Sequence, residues 1–187
     1  MAGDAHLAGS GLPPPAPGAL HAEAWGPGRD AALEALPALV GDDDDASGFV
    51  ARDPAVRRPA RRLIGVRLGR TGAVVEALLP AILEQKVTGD EARRTWRRLV
   101  HRFGEPAPGP AGLRLPPSPA AVAVQPYHAL HSIGLERRRA EVLSAVCRRS
   151  AWLEESASLS NEIAYARLMS FRGIGAWTAA EVGVCAR

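Results

Sequence analysis

A glycine hairpin between two helical patterns constrains this chain more than any other feature: Leu168-Met169-Ser170-Phe171-Arg172-Gly173-Ile174-Gly175-Ala176-Trp177-Thr178-Ala179-Ala180. Upstream, Ile163, Tyr165, Ala166, Leu168 and Met169 recur roughly at helical spacing behind Ser160, a residue suited to an N-cap. Downstream, Trp177, Ala180, Val184 and Cys185 do the same. Two helices must therefore meet at a tight turn. Gly173 and Gly175 permit positive φ and remove Cβ from the outer surface, so a bulky anion can approach the backbone N–H groups that open the second helix. Those donors and the positive end of the helix dipole form a phosphate site that reads no base sequence. An ordinary turn with Ile174 packed inward is the competing reading of Gly-Ile-Gly alone.

Charge is divided along the chain. Residues 1–57 hold 3 arginines against 9 acids, net −6, whereas residues 58–187 hold 20 Lys and Arg against 11 acids, net +9. The basic part carries the hairpin, and its arginines cluster at Arg61/Arg62, Arg93/Arg94/Arg97/Arg98, Arg137/Arg138/Arg139 and Arg148/Arg149. Such clusters attract a polyanion in a salt-dependent way, or else are solvated helix faces. The run Asp42–Asp45 reads as an acidic loop rather than a metal site, because adjacent carboxylates on a loop rarely converge.

The 187 residues are 47% hydrophobic, enough for one good core, and no apolar run approaches a membrane span. No membrane association is expected. With no basic-then-apolar N-terminus and two distant cysteines, the expected location is the cytoplasm, with Cys147 and Cys185 as small core residues. Residues 1–28 read as a Pro/Gly-rich leader, a remnant of an N-terminal region, in which Leu20–Trp25 can form a short strand. Residues 29–187 read as one all-α domain. Arg29–Val40 is predicted helical despite Pro37, and Val74, Val75, Leu78, Leu79, Ile82 and Leu83 predict a helix through the middle of a core. Thr88 and Glu91 predict a capping box for a helix stopped at Gly104. Residues 105–117 read as a loop, Ser118-Pro119 as a helix start, and Leu135–Arg149 as a helix with Ala140, Leu143, Val146 and Cys147 inward.

The wider pattern Leu-x-x-Phe-x-Gly-Ile-Gly-x-Trp-Thr-Ala resembles the helix-hairpin-helix motif of the DNA glycosylase superfamily, and Trp177-Thr178-Ala179 points to its 3-methyladenine branch. A second segment, Ala81-Ile82-Leu83-Glu84-Gln85-Lys86-Val87-Thr88-Gly89-Asp90-Glu91-Ala92, is similar to the helix and turn that precede the hairpin in that branch. Arg102-Phe103-Gly104-Glu105-Pro106 and the stretch from Ile133 to Ala140 read like the same family. The resemblance is clearest over residues 68–187 and weaker from about residue 20. It implies a helix-hairpin-helix glycosylase-type domain of base-excision repair, acting as a monomer on double-stranded DNA with alkylated bases. A non-enzymatic helix-hairpin-helix DNA-binding module is the main alternative, and an arginine-rich helical regulator a third.

Such an enzyme must extrude a nucleotide, hold its base on aromatic surface and stabilise an oxocarbenium-like sugar with a carboxylate. The resemblance makes Trp177 the base-pocket aromatic, since a cationic alkylated base stacks well on indole; a core tryptophan is the alternative. Gln85 and Lys86 fall on the turn that wedges into the gap left by the flipped base, with Lys86 departing from the usual apolar wedge. Arg172, Gly173, Ile174, Gly175 and Thr178 complete the expected DNA-contacting set, with Arg172 where the family often has proline. No required cofactor is expected, and two cysteines cannot build the iron–sulfur cluster of some relatives. A monovalent cation on the carbonyls of Met169, Phe171 and Ile174 is implied by the resemblance. The family's catalytic aspartate is expected about twenty residues after Gly175, beyond Arg187. No residue of the chain is therefore named as catalytic, and inactivity of these 187 residues alone is the expectation. Relatives with lyase activity carry a Schiff-base lysine where Trp177 stands, so a monofunctional hydrolase is implied.

Overall fold

In the computed structural model, which describes residues 19–110 and 112–186, one buried helix organises the others. That helix is α4 (Val74–Leu83), in which Val74, Val75, Leu78, Leu79, Ala81, Ile82 and Leu83 are all buried. Before it come α1 (Arg29–Glu34), α2 (Leu36–Leu39) and α3 (Pro54–Arg62), and after it α5 (Gly89–Phe103), α6 (Pro119–Ala123) and α7 (Tyr127–His131). The chain continues through α8 (Arg137–Arg148), α9 (Ser150–Glu154), a 3-10 turn at Glu155–Ser158, α10 (Asn161–Met169) and α11 (Ala176–Ala186). Among the described residues the only β pairing is an isolated bridge between Pro106 and Arg114. The all-α expectation holds.

Helix α11 packs along α4, and α8, α5 and α9 close the remaining sides. The two long partners run antiparallel: Thr71, just before α4, donates from N–H to the Cys185 carbonyl at 3.0 Å, while Gln85, just after α4, reaches Thr178. Leu99, Leu130, Leu135, Leu143, Val146, Leu153 and Leu168 fill the space around α4.

Val74 and Val75 at the start of α4 and Leu83 at its end are buried, so side chains supply the hydrogen bonds their backbone groups lack. At the N-terminus both carboxylate oxygens of Glu154 accept, one from Val74 N at 2.8 Å and one from Val75 N at 3.0 Å. At the C-terminus the Arg139 guanidinium donates to the Leu83 carbonyl at 2.8 Å.

Several sequence expectations need correction. Leu20–Trp25 is not a strand; its backbone is irregular, and Trp25 lies against Gly109. Residues 1–18 of the expected leader fall outside the described residues. Arg29–Val40 is two short helices, because Pro37 lacks an N–H and its ring clashes with the preceding turn, so a new helix starts around it. Thr88 caps α5 by accepting from Glu91 N at 3.3 Å, but the Glu91 carboxylate lies 3.6 Å from Arg139, so the reciprocal half of the box is replaced by an ion pair. Gly104 ends α5 in extended conformation, and a Cβ there would strike the Leu115 and Val100 carbonyl oxygens. The acidic run closes a loop: Asp44 Oδ2 accepts from Leu68 N at 2.9 Å, and the Arg67 and Arg70 guanidinium groups donate to the carbonyls of Asp44 and Asp43.

The faces of the last two helices also differ from the periodicity reading. Helix α10 buries Ala164 and Leu168 while Ile163, Ala166 and Met169 are exposed. Helix α11 buries Thr178, Ala179, Val182 and Ala186, leaving Trp177, Ala180, Val184 and Cys185 outside. Small residues face α4 because they let the two helices approach closely. Gly183 answers a similar demand on another side, where an added Cβ would collide with the Tyr165 hydroxyl. Cys147 is buried, and burial pushes its thiol up to about 12, whereas Cys185 is exposed.

Glu154→Ala removes both acceptors from the α4 N-terminus and should cost about 2 kcal/mol, the scale of unsatisfied, largely buried donors. Glu154→Gln keeps one acceptor and should cost less. Urea denaturation of the two variants checks the order.

Candidate nucleic-acid interface

The hairpin is built in a few residues. Helix α10 ends at Met169, the Ser170 hydroxyl donates to the Arg167 carbonyl at 2.7 Å, and Ile174 N donates to the Phe171 carbonyl at 3.0 Å. Gly173 has φ +108°, and a Cβ there would sit 2.6 Å from Val142 Cγ2, so both conformation and space demand glycine. A Cβ on Gly175 would meet nothing within 4 Å. Ile174 is buried between them. The inward isoleucine and the open glycine therefore coexist. The Gly175 carbonyl accepts from Ala179 N at 3.0 Å, and the N–H groups of Ala176, Trp177 and Thr178 have no acceptor inside α11. With the helix dipole they leave a partial positive charge on open surface.

Gln85 fastens the turn after α4 to this hairpin. Its Nε2 donates to the Gly173 carbonyl at 2.9 Å and to Thr178 Oγ1 at 3.0 Å. Thr178 is buried, so its hydroxyl holds Gln85 and does not face a duplex. Of these two residues expected at the DNA surface, Thr178 is buried, and Gln85 is half-buried with its amide turned to Thr178 and Gly173. Lys86, the next residue, is exposed and has φ +59°, the one positive φ of a non-glycine among the described residues. A left-handed lysine costs roughly 1–2 kcal/mol. The structure thus brings together Lys86, Arg172, Gly173, Ile174 and Gly175 on two adjoining turns.

Trp177 is 55% exposed, which excludes an ordinary core tryptophan. Along the outer face of α11 it is followed by Ala180, the half-buried Glu181 and Val184. Of the expected cation ligands, the Phe171 carbonyl accepts from Ile174 N and retains a second lone pair, and Met169 lies at the exposed end of α10.

The arginine clusters divide. Arg139 is buried, with Glu91 at 3.6 Å and Glu136 at 3.9 Å besides the Leu83 carbonyl. Arg149 lies 4.0 Å over the Trp152 ring, and Arg167 covers it at 4.5 Å while donating to the Trp152 carbonyl. Trp152 in turn sits 6.2 Å from Phe171, bracing the hairpin from below. Sequence reasoning misses this stack and the role of Arg139; the available signal is its register in α8, three and four residues before the buried Val142 and Leu143.

No family model matches the chain, and no curated protein matches it. Solved structures do. A 3-methyladenine DNA glycosylase from Archaeoglobus fulgidus shares 28% identity at a TM-score of 0.65, over 82% of this chain and 54% of that one. A Clostridium acetobutylicum 8-oxoguanine glycosylase/lyase, in complex with double-stranded DNA containing cytosine opposite 8-oxoguanine, superposes with TM-score 0.69 at 17% identity over 84% and 57%. A Schizosaccharomyces pombe 3-methyladenine DNA glycosylase in complex with abasic DNA gives 0.53 at 19% over 80% and 68%. The chain has the all-α fold of the helix-hairpin-helix DNA glycosylase superfamily, and it spans little more than half the length of the first two of these proteins.

Substitution separates the two hairpin glycines. Gly173→Ala forces an L-residue to φ +108° against Val142 and should lower stability by about 2 kcal/mol or more. Gly175→Ala should change stability by less than about 0.5 kcal/mol yet weaken duplex DNA binding, because its methyl stands where a phosphate would approach. Thermal denaturation paired with fluorescence anisotropy reads both.

Proposed function

We propose that this chain is the DNA-binding and base-extruding part of a 3-methyladenine-type DNA glycosylase of base-excision repair. Its target is alkylated purine in duplex DNA, and its reaction hydrolysis of the N-glycosidic bond. The observation that carries the proposal is the hairpin itself, an open Gly175 and unpaired helix N–H groups beside an exposed tryptophan. The branch is favoured by the 28% identity to the archaeal 3-methyladenine enzyme against 17% to the 8-oxoguanine enzyme.

In this reading the N–H groups at the start of α11 hold a phosphate without reading sequence. The Trp177 indole offers its face to the extruded cationic base, an attraction worth about 1–3 kcal/mol for a stacked base. Lys86 projects from its fixed turn towards the gap left in the duplex or an adjoining phosphate. A monovalent cation on the carbonyls of Met169, Phe171 and Ile174 would add positive charge under the same phosphate. Lys86 is the chain's single lysine and Trp177 fills the position of the lyase relatives' amine, which supports a monofunctional hydrolase. The sugar cation needs a carboxylate, and no described residue is assigned that role; Glu181 lies one helical turn past Trp177 on α11.

Trp177→Ala should leave stability nearly unchanged, given its exposure, while cutting the preference for duplex carrying an alkylated purine over undamaged duplex by about tenfold or more. Competition binding measures the ratio. Equal affinity of the unmodified protein for both DNAs would favour the non-enzymatic module instead.

A polypeptide of residues 1–187 should release no 3-methyladenine from methylated DNA above background, and borohydride should trap no covalent DNA adduct. A longer polypeptide that supplies the expected aspartate should release base, and its Asp→Asn variant should not. Release by residues 1–187 alone would locate the carboxylate within them, with Glu181→Gln as the variant that decides.

A further inference from the structure

We propose that the groove between the start of α8 and the hairpin is a second phosphate cradle, in which Arg138 and Arg172 jointly hold a phosphodiester of the DNA engaged by α11. The proposal rests on the DNA-binding reading of the hairpin and extends the footprint to α8. The groove has a volume of about 720 Å³ and an apolar floor of Val142, Ala145 and Phe171. Val142 is also the residue against which Gly173 packs, so groove and hairpin share a wall.

Charge complementarity identifies the occupant. Three arginines, Arg137, Arg138 and Arg172, and two acids, Glu136 and Glu141, line the groove. Each acid already faces a cation: Glu136 lies 3.9 Å from Arg139, and Glu141 lies 3.9 Å from Arg137. Arg137 is further occupied by the Tyr127 ring, 4.4 Å away. Arg138 and Arg172 remain as exposed guanidinium groups with no hydrogen bond or ion pair among the described residues. The lining therefore carries one net positive charge, opposite in sign and equal in size to a phosphodiester. Two guanidinium forks suit its pair of free oxygens, where a single ammonium would offer only a point charge.

Position makes the encounter unavoidable. A DNA strand carries one charge about every 3.4 Å of axis, so a duplex seated on Gly175 presents neighbouring phosphates along the surface flanking the hairpin. Arg172 stands between Phe171, which is buried against Trp152, and Gly173, which is locked by Val142. Its backbone is thereby fixed. Proline, frequent at this position in the resembling family, could not contribute such a donor.

The test compares the salt dependence of undamaged-duplex binding for the 187-residue protein with that of Arg138→Ala, Arg172→Ala, the double variant and Arg29→Ala. Removing one phosphate contact should lower the slope of log K against log salt by about 0.9. The double variant should lose one such increment, each single variant less than the double because the other arginine still faces the phosphate, and Arg29→Ala should lose none. A double variant that loses no more slope than Arg172→Ala alone, or that loses two full increments, overturns the cradle. A second measurement follows the Arg138 and Arg172 Nε–H resonances and the Gly175 amide during titration with a tetranucleotide. Joint movement of both arginines supports the cradle, with or without Gly175. Movement of Gly175 without Arg138 rejects the cradle and keeps the hairpin reading, and silence at all three rejects both.

Discussion

The burial of α4 is the constraint on which the rest of the molecule depends. Val74, Val75 and Leu83 are buried at the two ends of α4, so their N–H and C=O groups must be met from within the protein, and here the partners come from far along the chain. Glu154 closes one end and Arg139 the other. Helices α8 and α9 must therefore be in place before α4 is fully satisfied, which ties the two halves of the domain into one cooperative unit. Burying the Arg139 guanidinium costs several kcal/mol of desolvation, and Glu91 and Glu136 at 3.6 and 3.9 Å offset only part of it. Its Nε has no hydrogen-bond partner. The remainder is offset by the carbonyl it satisfies and the packing it permits around Leu83.

Anchoring Leu83 also fixes the turn after α4. The segment Glu84-Gln85-Lys86 begins at a clamped carbonyl and is tied two residues later to Gly173 and Thr178 through Gln85. Two loops remote in sequence become one rigid surface, with Lys86 held in a conformation that glycine would adopt more cheaply. A lysine in this costlier conformation favours a use for its side chain over a purely structural turn. Rigidity matters here because a surface already ordered loses less entropy on binding.

The helices are legible in the sequence where local signals agree. Thr88, Ser118 and Ser160 each cap the helix that begins after them, since a short hydroxyl before an apolar period has one favourable use. Faces are legible only where polar residues mark the outside. Helix α8 sets Arg137, Arg138, Glu141 and Arg148 against Ala140, Leu143, Val146 and Cys147, so its inward side can be read directly except for the buried Arg139. Helix α11 is apolar nearly all round, so its periodicity points the large side chains inward, whereas close approach to α4 selects small ones. Long-range polar contacts leave no local trace: nothing around Glu154 reveals a partner eighty residues earlier. The same limit hides which of the expected DNA residues face outward. Gln85 and Thr178 share the DNA-facing expectation with Lys86 and Arg172, yet the half-buried amide and the buried hydroxyl meet each other while the two cations stay exposed.

That separation shapes how the proposed activity would work. Residue Trp177 belongs to the first turn of α11, so its backbone N–H lies among the unpaired donors while its indole stands out in solvent. One residue would then contact phosphate through its main chain and an extruded base through its side chain. Their relative position is set by helix geometry and not by a flexible linker. Phosphate binding would supply affinity that is blind to sequence, and stacking the preference for a cationic base; coupling them in one residue would make the base site available only where the strand is already docked. An undamaged neutral base gains less from the indole and leaves the cost of unstacking unmet. Discrimination on this reading comes from the energy of extrusion, and it needs no contact that reads the intact duplex.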